Sequence, residues 1–127
     1  MNWINAALDE FGRRAGLPHW GFDGAGVAQL RFASGDILAV EQAGDDVLLY
    51  LVHRSPWLDG AALGEALRRA NARRLHGRPL QLGLRGQGQD SALVIALRIA
   101  QREFTAVALE SGWDAIARWR DDWQARR

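Results

Sequence analysis

The sequence predicts an α+β domain in the order α-β-β-β-α-β-β-α, its antiparallel, twisted sheet packed by helices. Three observations predict it. Apolar residues recur at helical spacing near both ends of the chain and once in its middle. The segments between them alternate at period two. The turns joining successive strands are too short for a parallel crossover, so the pairing is antiparallel. The 127 residues, 48% of them apolar, suit one domain over residues 1–127. A chain of this size buries roughly two thirds of its unfolded surface, so one core is expected.

Each element has its own signal. Asn2 is placed to cap a first helix with the stripe Trp3, Ile4, Ala7, Leu8, Phe11 and Ala15. Gly16 and Pro18 stop it, as a left-handed cap and a following breaker do. Leu17 to Phe22 carries a weak strand signal, and Asp23 to Gly26 reads as a turn. Val27 to Phe32 alternates, with Ala28, Leu30 and Phe32 on one face. Turns at Ser34–Asp36 and Gly44–Asp46 separate two further strands, Ile37 to Glu41 and Val47 to His53. Pro56 ends this meander. Asp59 is the expected N-cap of the second helix, with Leu58 and Leu63 closing a hydrophobic staple. That helix carries Leu63, Ala66, Leu67 and Ala70 on one face and ends near His76–Gly77. Leu80, Leu82 and Leu84 alternate, Gly86 to Asp90 turns, and Ala92 to Leu97 is apolar throughout, which predicts a strand covered on both faces. The last helix is expected from about Glu103 to Arg126, through Phe104, Val107, Ala108, Ala115, Ile116, Trp119 and Trp123, with Gly112 marking a kink.

Composition narrows the function classes. No apolar run approaches the ~20 residues that span a bilayer, so no membrane insertion is expected. The N-terminus lacks a basic stretch followed by a long apolar one, so no secretory signal is expected. With no cysteine, this favours the cytoplasm. The net charge is +1, and all sixteen basic residues are arginine. That bias matches a GC-rich genome; the competing reading is a nucleic-acid patch. The arginine pairs are scattered among acids rather than drawn into a stripe, so no nucleic-acid partner is expected.

Catalytic chemistry has no foothold. His19, His53 and His76 stand apart, without metal-ligand spacing, and read as surface or turn residues. The glycine-rich stretches Gly21 to Gly26 and Gly83 to Gly88 lack the Gly-Lys-Ser/Thr of a phosphate loop and sit where hairpin turns belong. The acidic pairs Asp9–Glu10, Asp45–Asp46 and Asp121–Asp122 fall on helix surfaces or in a turn. No enzyme activity, metal or cofactor is expected. Six tryptophans are many for this length. They fill the core or mark a surface meant to be covered, since tryptophan is enriched in binding hot spots.

Leu8 to Pro18 (LDEFGRRAGLP) resembles the opening of class I type III secretion chaperones, the Tir-chaperone-like family. The resemblance continues through Phe22-Asp23-Gly24-Ala25-Gly26 and Leu30-Arg31-Phe32. It resumes at Leu63 to Asn71 (LGEALRRAN), and closes with Phe104, Ala108-Leu109-Glu110 and Trp119-Arg120. It covers nearly the whole chain in the family's element order. The basic sequence pI near 8.5, the segment Val52 to Leu58 and the tryptophans depart from the family's pattern.

The resemblance implies a homodimeric chaperone without enzyme activity. It binds the N-terminal segment of a secreted effector, keeps it competent for export and helps deliver it to the secretion ATPase. A heterodimeric or regulatory subunit of the same system, or a nucleic-acid-binding module, is the alternative. An extended peptide is held by adding a strand to a sheet edge while alternate side chains enter pockets. The expected effector-binding residues are Trp3, Ile4, Leu8, Phe11, Leu30, Phe32, Leu38 and Val40. The expected dimer interface is Leu63, Ala66, Leu67, Ala70, Leu80 and Leu82, where small alanines permit close helix contact.

Overall fold

A five-stranded antiparallel sheet organises the chain, in the order β1-β2-β3-β7-β6. The computed structural model describes residues 3–17, 20–56, 58–72, 74–75 and 78–125. Expectations that fall on Asn2, Pro18, His19, Trp57, His76–Gly77 and Arg126 lie outside the described residues. Within them, α1 is Trp3–Arg14, β1 Val27–Arg31, β2 Ile37–Ala43, β3 Asp46–Arg54 and α2 Gly60–Ala72. Then come β4 Arg74–Leu75, β5 Arg78–Pro79, β6 Gln81–Arg85, β7 Ala92–Ala100 and α3 Ala106–Ala125. The predicted order holds, with a two-residue hairpin, β4 with β5, added after α2.

Helix ends follow side-chain chemistry. Gly16, at φ 76°, closes α1: Leu17 N–H donates to Gly12 O and Gly16 N–H to Arg13 O, the paired bonds of a Schellman cap. Asp59 caps α2, accepting from Ala62 N–H at 2.7 Å. The sequence places the start of the last helix too early. Thr105 is its cap, accepting from Ala108 N–H at 3.0 Å, and Gln101–Glu103 forms a separate 3-10 turn. The described residues of Leu17 to Phe22 form no strand.

The register sorts side chains into two faces. Leu38 pairs with Leu51 and Val40 with Leu49; Leu51 pairs with Ile95 and Leu49 with Leu97. These residues are buried together with Ile4, Leu8, Phe104, Leu109, Ile116 and Trp119. On the other face, Tyr50 lies in register between Ala39 and Ala96, whose small side chains leave room for its ring. Its hydroxyl donates to Glu41 Oε2 at 3.3 Å. Burial first, then the Glu41 charge, push the Tyr50 phenol above its ordinary range.

Gly112 does not interrupt α3; the helix runs through it. A Cβ there would stand 2.8 Å from Leu49 Cδ2 and 3.2 Å from Leu97 Cδ2. The glycine lets the helix lie close on β3 and β7. Gly112→Ala is therefore expected to cost about 1–3 kcal/mol by overpacking, read as a lower urea midpoint at unchanged slope. A neutral or stabilising result, as helix propensity alone would give, contradicts the close approach.

Candidate functional site

β1 is an outer strand of the sheet. Phe32 N–H donates to Asp36 O, so by the alternation of an antiparallel ladder Ala28 and Leu30 face β2, and Val27, Gln29 and Arg31 turn their backbone outward. Part of that edge is already met from within the chain. Asp23 accepts from Val27 N–H through Oδ1 and donates its own N–H to Val27 O. The Trp20 indole donates to Gln29 O at 2.8 Å, its ring tilted against Phe11 with centroids 5.7 Å apart. Among the described residues nothing meets Gln29 N–H or the backbone of Arg31, and these form the open stretch of the edge.

The residues expected to line peptide pockets divide sharply. Trp3 is 53% exposed, its indole donating to Gln101 O at 2.8 Å. Leu30 and Phe32 are half-buried. Ile4, Leu8, Phe11, Leu38 and Val40 are closed core and are corrected here. The stripe of α1 that looked free in the sequence is spent on packing α1 to the sheet and to α3. Phe32 stacks on Trp113 at 5.5 Å, and the Arg120 guanidinium lies 5.8 Å from the Trp113 ring. These residues wall a cleft of about 350 Å³ that also meets Ser34, Asp36 and Gln124.

A second surface lies between α2 and β6. Leu67, Arg68, Ala70, Leu80, Gln81 and Leu82 line a groove of about 510 Å³. Leu67 is 47% exposed, and Leu63 and Leu82 are half-buried. Ala66, Ala70 and Leu80 are buried within the chain, a correction to the expected interface: they seat α2 on its own sheet. Leu84, 51% exposed, lies farther along β6, outside the lining of the groove, and was not among the expected residues. Glu65 accepts from Arg68 at 2.7 Å and Arg69 at 3.0 Å, and these bonds, Arg68 first, hold its carboxyl below the usual range.

His53 is neither a surface nor a turn residue. It is 5% exposed, and its Nδ1 lies 3.0 Å from Asp36 Oδ2. Asp36 Oδ2 also meets Arg120 Nη1 at 3.5 Å, and Oδ1 accepts from Arg54 N–H at 3.4 Å. The signal was present: His53 continues the inward series Val47, Leu49 and Leu51 of β3. The described tryptophans differ in burial. Trp119 and Trp123 are core, Trp20 and Trp113 half-buried, and Trp3 exposed.

Among the described residues, no group of His, Asp and Glu is set to hold a metal ion, and no helix is long and apolar enough to cross a membrane. The described arginines repeatedly meet acids: Arg13 with Asp9, Arg14 with Glu10 and Glu110, Arg98 with Asp46.

The same arrangement occurs in known proteins. A chain of the HopA1–SchA chaperone–effector complex superposes with a TM-score of 0.68 at 18% identity, over 97% of this chain and 94% of that one. A chain of the ExsC–ExsE complex gives 0.69 at 18% identity, over 96% and 91%. A chain of the Yersinia pestis structure of type III secretion chaperone SycH with a fragment of YscM2 gives 0.70 at 12% identity, over 96% and 98%. At these identities the likeness shows the fold. None of the curated proteins matches the sequence. The family model described as type III secretory system chaperone SycN matches residues 3–123. The chain therefore belongs to the SycN family of type III secretory system chaperones.

Proposed function

We propose that this chaperone binds the extended N-terminal segment of a secreted effector along β1 and α1, as a homodimer, and keeps that segment competent for export. The observation that carries the reading is the open edge of β1 at Gln29 and Arg31, beside half-buried Leu30 and Phe32. A peptide strand added there gains backbone hydrogen bonds of little sequence preference, and the flanking apolar groups select alternate side chains. The family supports the reading, as do neighbours solved as a chaperone–effector complex and as a secretion chaperone holding a fragment of another protein. Two copies would meet through Leu63, Leu67, Leu82 and Leu84, extending the binding path over both subunits. In this reading the protein acts in the bacterial cytoplasm and hands its cargo to the secretion ATPase.

Arg31→Pro tests the edge. Proline removes an outward N–H and is tolerated where a strand edge faces solvent. The variant is expected to keep the fold and to bind the effector segment about tenfold more weakly by calorimetry, the loss of one or two backbone hydrogen bonds. Unchanged affinity in a folded variant would place the peptide elsewhere.

A further inference from the structure

The sheet has a second face. The inward residues of β2, β3 and β7 join side chains of all three helices in one core, and by strand alternation their neighbours turn the other way. Ile37, Leu48, Val52 and Val94 are half-buried there and take no part in that core. Ile37, Val52 and Val94 stand in one row across adjacent strands. Tyr50, the one tyrosine of the sequence, lies beside that row. Strand capture at β1 and the α2–β6 groove leave the row unused.

Arginines collect at one end of this face. The register sets Arg31 beside Ile37 at the end of the row, and Arg54 and Arg85 on either side of Ala92, two residues further on. All three are exposed, and no ion pair among the described residues engages them. The acids of the same face are already met: Glu41 accepts from the Tyr50 hydroxyl, and Asp46 meets Arg98 at 3.2 Å. Asp90, in the turn joining β6 to β7, forms no ion pair with the three. Burial and Glu41 raise the Tyr50 phenol and Arg85 opposes them, so the Arg85 charge reaches the middle of the face. Positions 31, 54 and 85 are far apart in the sequence, and the register brings them together.

We propose that this face docks an acidic amphipathic segment of a partner polypeptide, its apolar side chains on Ile37, Val52 and Val94 and its carboxylates toward Arg31, Arg54 and Arg85. An apolar row bordered by unpaired cations is complementary to a segment that carries both characters. A second copy of this chain brings the same arginines and is repelled. A nucleic acid would meet the arginines and leave the apolar row bare. The one ring on this face, Tyr50, is half-buried and offers a base no open surface for stacking.

This docking does not rest on strand capture at β1 and is tested without an effector. The probe is a synthetic peptide with leucines at helical spacing and glutamates elsewhere. It is titrated into the full chain labelled at tyrosine, and the Tyr50 ring is followed by NMR. The expected result is a saturable shift that weakens as salt is added and is about tenfold weaker in the double variant Arg54→Glu with Arg85→Glu. Both positions are exposed, and Arg85→Ala alone serves if the double variant does not fold. A peptide with serine in place of leucine is expected to lose the shift. Absence of a saturable shift overturns the proposal, as does equal affinity in the charge-reversed chain or for the serine peptide. Tighter binding of a DNA duplex, or of vesicles containing phosphatidylserine, overturns the polypeptide assignment. An effector segment that binds a chain unresponsive to the peptide removes this proposal and leaves the strand-capture reading intact.

Discussion

Replacing Asp36 with alanine is expected to lower the stability of the chain by about 3 kcal/mol, the low end for removing one partner of a buried ion pair. Asp36 is 3% exposed, and its side chain is met by His53, by Arg120 and by the Arg54 N–H. Alanine leaves the His53 ring without its Nδ1 partner in a closed site and leaves Arg120 facing no carboxylate there. Arg120 is 20% exposed and regains some water, so the cost stays near the low end. The contact also ties the β1–β2 turn and β3 to the C-terminal half of α3, joining elements distant in sequence. Asp36→Asn keeps the shape and an acceptor and is expected to fall between the two. Urea unfolding monitored by tryptophan fluorescence reads both. A loss under about 1 kcal/mol for the alanine variant, the scale of an ordinary hydrogen bond, would mean the pair is not closed from water.

The double variant Leu67→Asp with Leu84→Asp is expected to convert the proposed dimer to a monomer. Both leucines are large, apolar and about half exposed, one on α2 and one on β6 beside the groove. A two-fold interface presents each side chain twice, so two substitutions alter four contacts. A buried interface anchor is worth ~2 kcal/mol or more, and a carboxylate at its place adds a desolvation cost. Weakening of the dimer by more than about a hundredfold follows. Light scattering at micromolar concentration decides it, with circular dichroism to confirm the fold. A wild-type chain that is already monomeric contradicts the proposed interface, and so does a variant that remains dimeric.

The fold was legible because its elements carry strong local signals. Val27 to Phe32 alternates, Asp59 caps, and Gly16 stops a helix, and all three do in the structure what they announce. Boundaries were less legible where two local rules compete. Thr105 and Glu103 both suit a helix start, and the threonine wins because its hydroxyl reaches Ala108 N–H. The functional surface was least legible, for a physical reason. An apolar helix stripe looks the same whether it packs inward or waits for a partner. Ile4, Leu8 and Phe11 pack inward against the sheet and α3, while Trp3, one position earlier, stands out in solvent. Leu84 has the inward parity of Leu82, pairing with Leu93 as Leu82 pairs with Ile95. It is exposed because the α2–β6 groove reaches Leu80 to Leu82 and stops short of it. The partnership of His53 with Asp36 joins residues seventeen positions apart, across β2 and its turn, which periodicity cannot foresee.

Co-expression with the first ~100 residues of secreted proteins of the same export system, a length sized to the large interfaces of coupled folding, tests the central claim most directly. The measurement is the mass of the purified complex by light scattering. The account predicts a soluble species of two copies of this chain with one effector segment, the segment protected from protease and Arg31→Pro reducing its yield. A folded wild-type chain that purifies alone, with every secreted protein of that system offered in turn, contradicts it.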